Sequence, residues 1–318
     1  MSKLKKINRA IKDGNLKVKL FNRIRSMYTY RKGVSFIADN KVRELQSEVR
    51  VANHMRKKYK SLIEEGINDR RERVPSNKVW ICWLQGYEAA PDFIKACINS
   101  AKINMPNREI IILTEQNIKE YISFPKYIEE KRKKGIISRT HYSDLLRVSL
   151  LVKYGGLWID STVLCTGSSV DFNVILNAPL FVYKQLNLTP NSSDPIASSN
   201  WLISAYSNSS ILMLTQKLLY QYWRDYNTLV HYFIFHIFMN IAVQRYQDEW
   251  DDIPTFNNHS PHVLGTELDY PFSETRWSEY LAMSSFHKLN RHVNFGNICD
   301  SNYSYILKKY GVDKNIKV

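Results

Sequence analysis

Residues 141–162, HYSDLLRVSLLVKYGGLWIDST, constrain the fold of this chain more than any other stretch. From Ser138 onward, Leu145, Leu146, Val148, Leu150, Leu151 and Val152 cover nearly every side of a helical projection, which predicts a buried helix rather than an amphipathic one. Asp144 and Arg147 lie three residues apart on one face of that helix, where charge is costly. They either pair with each other or jointly face a polar ligand. Gly155 can end the helix in a left-handed cap, and Gly156 lets the backbone turn into the apolar strand Leu157-Trp158-Ile159. Asp160 then stands at the carboxyl end of that strand, the place where open α/β sheets bind ligands.

The flanking sequence alternates strand and helix. A strand is predicted at 79–84, a helix opening at Pro91 and running to about residue 101, and a strand at 110–113. Thr114 can cap a helix carrying Ile118, Tyr121 and Ile122, and a basic helix follows near 128–134. Beyond the central block, strands are predicted at 180–183 and 201–205 and helices at 211–226 and 230–246, with a polar loop over 188–199. The order β-α-β-α-α-β indicates an α/β sheet with parallel pairs, flanked by helices. A chain of 318 residues is long enough for one such domain, placed at 76–318, plus an appendage.

Charge marks the appendage. Residues 1–75 carry 21 Lys and Arg against 8 Asp and Glu, a net +13, whereas residues 76–318 carry 24 against 22. Leu20, Ile24 and Met27, and further on Val42, Leu45, Val49 and Ala52, recur at helical spacing, so 1–75 reads as a basic helical N-terminal appendage. Its cations can meet an anionic membrane surface, an assembly partner or only solvent. Nucleic acid is disfavoured, because no recognition motif or aromatic ladder accompanies the charge. The apolar run 229–243 is broken by His231, His236 and Asn240 and is too short to span a bilayer. No apolar stretch follows the basic start, and Cys82, Cys97, Cys165 and Cys299 have neither metal-ligand spacing nor disulfide-rich density. A cytoplasmic protein, peripheral on the inner face of the plasma membrane, is therefore expected.

Asp144, Arg147, the Tyr154-Gly155-Gly156 turn, Trp158 and Asp160 together resemble the donor-site block of glycosyltransferases with the nucleotide-sugar-binding GT-A fold. The nearest pattern is the bacterial capsular polysaccharide synthesis protein family, related to glycosyltransferase family 32 and to the clostridial glucosylating toxins. The resemblance spans roughly residues 78–291. It implies a GT-A-like sheet flanked by helices and a retaining enzyme, with no residue here marking a nucleophile. That enzyme would move a sugar from a nucleotide-sugar donor to a glycan or lipid-linked glycan acceptor of a growing surface polysaccharide.

The same resemblance assigns roles. Asp144 and Arg147 would contact the donor sugar. Trp83 and Gln85, at the end of the first strand, would meet the nucleotide base, and Asn200, placed just before a strand, the sugar. The family's strand-end motif holds Mn²⁺ or Mg²⁺ with two aspartates, but this chain reads Asp160-Ser161-Thr162, so one carboxylate is missing. Asp160 and Thr162 would then share the ion with His287, and Lys288 would meet the diphosphate. A cation bound through one carboxylate needs substrate phosphates to complete its shell.

Each assignment has a plainer rival: a turn carboxylate for Asp160, a core ion pair for Asp144 and Arg147, and surface residues for His287 and Lys288. His231 and His236, five apart, fit core packing better than a helical metal site. At the level of the whole protein, the rival is a non-catalytic binding or scaffold protein of a capsule-assembly complex with a degraded donor site.

Overall fold

The computed structural model describes residues 36–68, 71–185, 195–290 and 300–311. The expectations for Leu20, Ile24, Met27 and Cys299, and for most of the 188–199 loop, lie outside the described residues.

The central sheet has five strands: β1 (Lys78–Cys82), β2 (Glu109–Leu113), β3 (Gly156–Ile159), β5 (Leu180–Lys184) and β6 (Ser198–Ala205). Their order across the sheet is β2-β1-β3-β6-β5. β1 pairs in parallel with β2 and β3, and β6 runs antiparallel to β3 and β5. Four strands therefore share one direction and β6 alone reverses it. Every residue of β3 is buried, which accounts for its unbroken apolar run, as expected of a strand covered on both faces. Asn200, expected just before a strand, instead lies inside β6.

Helix α3 (Asp92–Asn104) joins β1 to β2, and between β2 and β3 the chain runs through α4 (Ile118–Tyr121), α5 (Lys126–Lys133) and α6 (Arg139–Tyr154). The Ser138 hydroxyl caps α6 by accepting the His141 amide. Gly155 and Gly156 have φ of 67° and 99°, and a Cβ on Gly156 would stand 2.3 Å from the Lys78 carbonyl oxygen. The turn therefore needs glycine for its backbone angles, and Gly156 needs it also for the close approach of β3 to β1. Trp80, fully buried on β1, donates its indole N–H to the Gly155 carbonyl and fixes the same corner from the other strand. α6 rests on β1 and β3 and is covered by α8 (Ser210–Asp225), which packs in turn on α9 (Ile234–Arg245). The short α7 (Asp171–Asn177) lies against β6.

A second, two-stranded sheet has no counterpart in the sequence expectations. β4 (Val163–Cys165) pairs antiparallel with β7 (Phe286–Lys288), setting Val163 opposite Lys288 and Leu164 opposite His287. The Leu289 amide extends the ladder to the Thr162 carbonyl at 3.0 Å. This small sheet carries the late segment to the end of β3.

The described residues 36–68 and 71–75 pack against the sheet and its helices. Helix α1 (Phe36–Lys58) leaves Val42 and Leu45 exposed but buries Val51, Ala52 and Met55, with Tyr59 behind them. Both α1 and the short α2 (Lys60–Glu65) pack on α9. The Tyr59 hydroxyl donates to Asp225 at 3.1 Å, and Arg56 donates to the Gln244 side chain at 2.8 Å. Val74 and Ser207 exchange hydrogen bonds just before the predicted boundary. Among the described residues no helix is long and apolar enough to cross a membrane.

Candidate active site

The order of β2, β1 and β3 makes the chain leave β1 to one side and return on the other, so a crevice opens beyond the carboxyl ends of β1 and β3. A cleft of ≈ 320 Å³ lies there, lined by Trp83, Leu84 and Gln85 after β1, Arg139, Ser143 and Arg147 on α6, Asp160 and Thr162 after β3, and Lys288 on β7. Its wall thus carries Arg139, Arg147 and Lys288 against the single carboxylate of Asp160, which suits an anionic ligand. Cys82 also reaches the cleft, and burial pushes its thiol up to about 12. A larger hollow of ≈ 750 Å³ borders the cleft across Leu84 and Arg139 but contains none of Arg147, Asp160 or Lys288. The chemistry gathers in the smaller one.

Charged groups in the cleft form one connected network. Arg147, only 4% exposed, donates Nη1 to Asp144 Oδ1 at 2.6 Å and Nη2 to Asp160 Oδ1 at 3.0 Å. Its guanidinium lies 5.0 Å from the Trp158 ring, whose indole N–H also donates to Asp160 Oδ1 at 3.1 Å. Asp160 Oδ2 accepts the Lys288 ammonium at 2.7 Å, and the same ammonium donates to Thr162 Oγ1 at 2.9 Å. The Asp160 main chain is pinned by its amide to the Trp201 carbonyl at 2.8 Å.

The two carboxylates sit in different electrostatic settings. Burial raises the Asp144 carboxyl above the ordinary carboxylate range, with Arg147 opposing that shift. Burial pushes Asp160 in the same direction, but Lys288 and Arg147 outweigh it and hold the group below that range. Asp160 is 28% exposed and faces the cleft, whereas Asp144 is 8% exposed and does not line it. Asp144, where a sugar contact is expected, has its carboxylate behind Arg147 and holds that guanidinium. Asn200 has the same station, donating to Asp144 Oδ1 at 3.0 Å rather than opening into the cleft.

Trp83, Gln85, Arg147, Asp160, Thr162 and Lys288 all line the cleft. His287 does not. Neighbouring residues of a strand point to opposite faces, so with Lys288 turned to Asp160, His287 turns inward, 1% exposed, with Nε2 3.5 Å from Thr166 Oγ1. Burial depresses its imidazole to about 4.

The other two expected metal ligands, Asp160 and Thr162, are engaged within the network. Both Asp160 oxygens already take cationic donors, the Thr162 hydroxyl is held by the same ammonium, and among the described residues no three His, Cys, Asp or Glu gather around a common point. A doubly charged ion within ~4 Å of that ammonium would meet repulsion of about 8 kcal/mol at an effective dielectric near 20. His236 packs against Phe233 and Phe235.

Two contributors escaped the sequence reading. Arg139 and Ser143 line the cleft from the first turns of α6, and they share the four-residue stripe that ends at Arg147. The polar interruptions of an otherwise apolar helix were the available signal.

The family described as capsular polysaccharide synthesis protein matches residues 32–308. Among solved structures, the chain is similar to PaToxG glycosyltransferase, with a TM-score of 0.37 and 17% identity, over 66% of this chain and 80% of that one. No curated protein matches the chain.

Proposed function

The chain belongs to the capsular polysaccharide synthesis protein family, and from that premise we propose that it is a glycosyltransferase that uses a nucleotide-sugar donor to extend a bacterial surface polysaccharide. The observation that carries this reading is the cleft at the switch point of the sheet, where Arg139, Arg147 and Lys288 surround Asp160. A diphosphate leaving group gathers negative charge as the glycosidic bond breaks, and preorganised cations placed there lower the barrier. The N-terminus of α6, with Arg139 in its first turn, adds the partial positive charge of a helix end.

The donor diphosphate lies against Lys288 and Arg139, and Arg147, fixed between Asp144 and Asp160, meets the sugar. Trp83 and Gln85 border the nucleotide end. During transfer, the bond from the sugar C1 to the diphosphate oxygen breaks with its electron pair left on that oxygen. The acceptor hydroxyl oxygen bonds to C1, and its proton passes to the leaving diphosphate. Delivery from the same face retains the anomeric configuration. Thr162 and Lys288 also border a hollow of ≈ 440 Å³ lined by His262 and Thr266, which gives a glycan acceptor a route to C1.

A panel of nucleotide sugars, read first by thermal shift and then by mass spectrometry of hydrolysis products, tests the reading. One donor should raise the melting temperature through native-state binding and be slowly hydrolysed, and Asp160→Asn should abolish hydrolysis while the protein stays folded. A panel in which no nucleotide sugar binds would instead favour the scaffold reading.

A further inference from the structure

We infer that this site works without a divalent cation, because the Lys288 ammonium occupies the place between Asp160 and Thr162 where such an ion would bind. The inference rests on the glycosyltransferase reading and concerns what neutralises the donor diphosphate in it. Three observations converge. Asp160 Oδ2 and Thr162 Oγ1, the two oxygens that the Asp-Ser-Thr sequence offers to an ion, both accept from one Nζ, at 2.7 and 2.9 Å. Asp160 Oδ1, the remaining carboxylate oxygen, accepts from Arg147 and from the Trp158 indole, so both oxygens of the carboxylate already take a donor fixed by the fold. The lysine is held there by the fold: β7 is registered on β4 with Lys288 opposite Val163, and the next amide, Leu289, bonds the Thr162 carbonyl.

The missing second carboxylate then has a physical reason. A site that holds a divalent ion needs enough negative charge to outweigh the cost of stripping water from it, whereas one ammonium is balanced by one carboxylate. Arg147 supplies a second fixed charge across Asp160 and takes part of that carboxylate's field, leaving Lys288 with positive character directed at the cleft. Lys288 is 23% exposed on its side chain, so it can meet a phosphate without leaving Asp160. Lysine suits this place because an ammonium is a compact point charge with three donors, of which Asp160 and Thr162 use two.

Calorimetric titration of the full chain with UDP and with GDP, in EDTA and in MnCl₂, tests the inference, with bound Mn²⁺ counted independently by electron paramagnetic resonance. For the nucleotide that binds, affinity should agree within about twofold between the two buffers, and no Mn²⁺ should be retained by the nucleotide-free protein. Lys288→Gln, which keeps much of the side chain's length, should weaken binding in EDTA by about tenfold or more, the usual scale for losing a charged hydrogen bond. Lys288→Arg should recover part of that loss. Binding that appears only with Mn²⁺ would overturn the inference and leave the transferase reading standing, as would wild-type affinity in Lys288→Gln. Failure of both nucleotides in both buffers would fall on the donor reading and remove this inference with it. The wild-type comparison stands even if Lys288→Gln does not fold.

Discussion

Asn200 donates its side-chain amide to Asp144 Oδ1 at 3.0 Å, on the same oxygen that takes Arg147 Nη1. A buried carboxylate is thus fixed from strand β6 and from its own helix, and the guanidinium it holds keeps its second nitrogen on Asp160. The relay runs from the interior of the sheet to the wall of the cleft. Its inner members hold the outer ones in place.

Asn200→Ala should therefore cost stability and turnover together. Removing one donor from a buried charged acceptor typically costs about 1–3 kcal/mol. Asn200→Asp should cost more, since it sets a second carboxylate against Asp144 in a buried place. Thermal melts read the first effect, and kcat should fall more than KM rises, because the relay positions Arg147 without touching the nucleotide. Melting curves unchanged in both variants would show the amide to be idle.

Arg147→Lys keeps the charge but loses the fork that spans Asp144 and Asp160. One ammonium cannot reproduce that pair of contacts, so the variant should lose both stability and donor affinity. Arg147→Ala should be worse, at about 3–5 kcal/mol, since Asp144 is then buried without its counter-charge. Denaturant melts at neutral pH give the cost, and equal midpoints for wild type and Arg147→Lys would reduce the contact to a loose ion pair.

The buried His287 makes a pH prediction. Its folded imidazole is held at about 4 by burial, against about 6.5 in an unfolded chain. The unfolded state therefore binds the proton first as pH drops, so stability from the neutral ring is full above ~6.5 and is lost as pH falls toward 4. The full shift corresponds to about 3 kcal/mol. His236, lowered to about 3 by burial and by Arg147, acts with the same sign. His287→Gln should consequently lose less stability between pH 7 and 5 than wild type does in urea melts. Identical losses would mean that this ring does not titrate on unfolding.

The helix, Gly-Gly turn and strand ending at Asp160 were readable because each rests on neighbours in sequence: apolar coverage of a helix, positive φ at glycine, a run buried on two faces. Lys288 could be named but not placed. Its approach to Asp160 depends on β4 and β7, three residues each, too short to show a period and joined across more than a hundred positions. The same pairing decides that His287 turns inward, since adjacent residues of a strand cannot both face one cleft. Asp144 was legible as a charge in an apolar helix three residues from Arg147, but its second partner, Asn200 in a distant strand, was not.

Removal of residues 1–75 should unfold the domain instead of freeing a surface anchor. The excess of positive charge in that stretch suggests a detachable element that could meet anionic lipid, yet Val51, Met55 and Tyr59 are at most 4% exposed and belong to the common core. Re-exposing each such side chain costs about 1.5–3 kcal/mol, and the surface that α9 presents to them would be uncovered as well. Tyr59 also leaves Asp225, and Val74 leaves Ser207. The sum is comparable to the whole stability of an ordinary domain, about 5–15 kcal/mol. The truncated chain should therefore lose its cooperative melt and its nucleotide binding at once. Charge-reversing substitutions confined to exposed positions such as Lys57 and Lys60 keep the core intact, so they are the proper probe of any attraction to anionic vesicles. A truncated protein that melts cooperatively and still binds donor would show that α1 is dispensable to the fold.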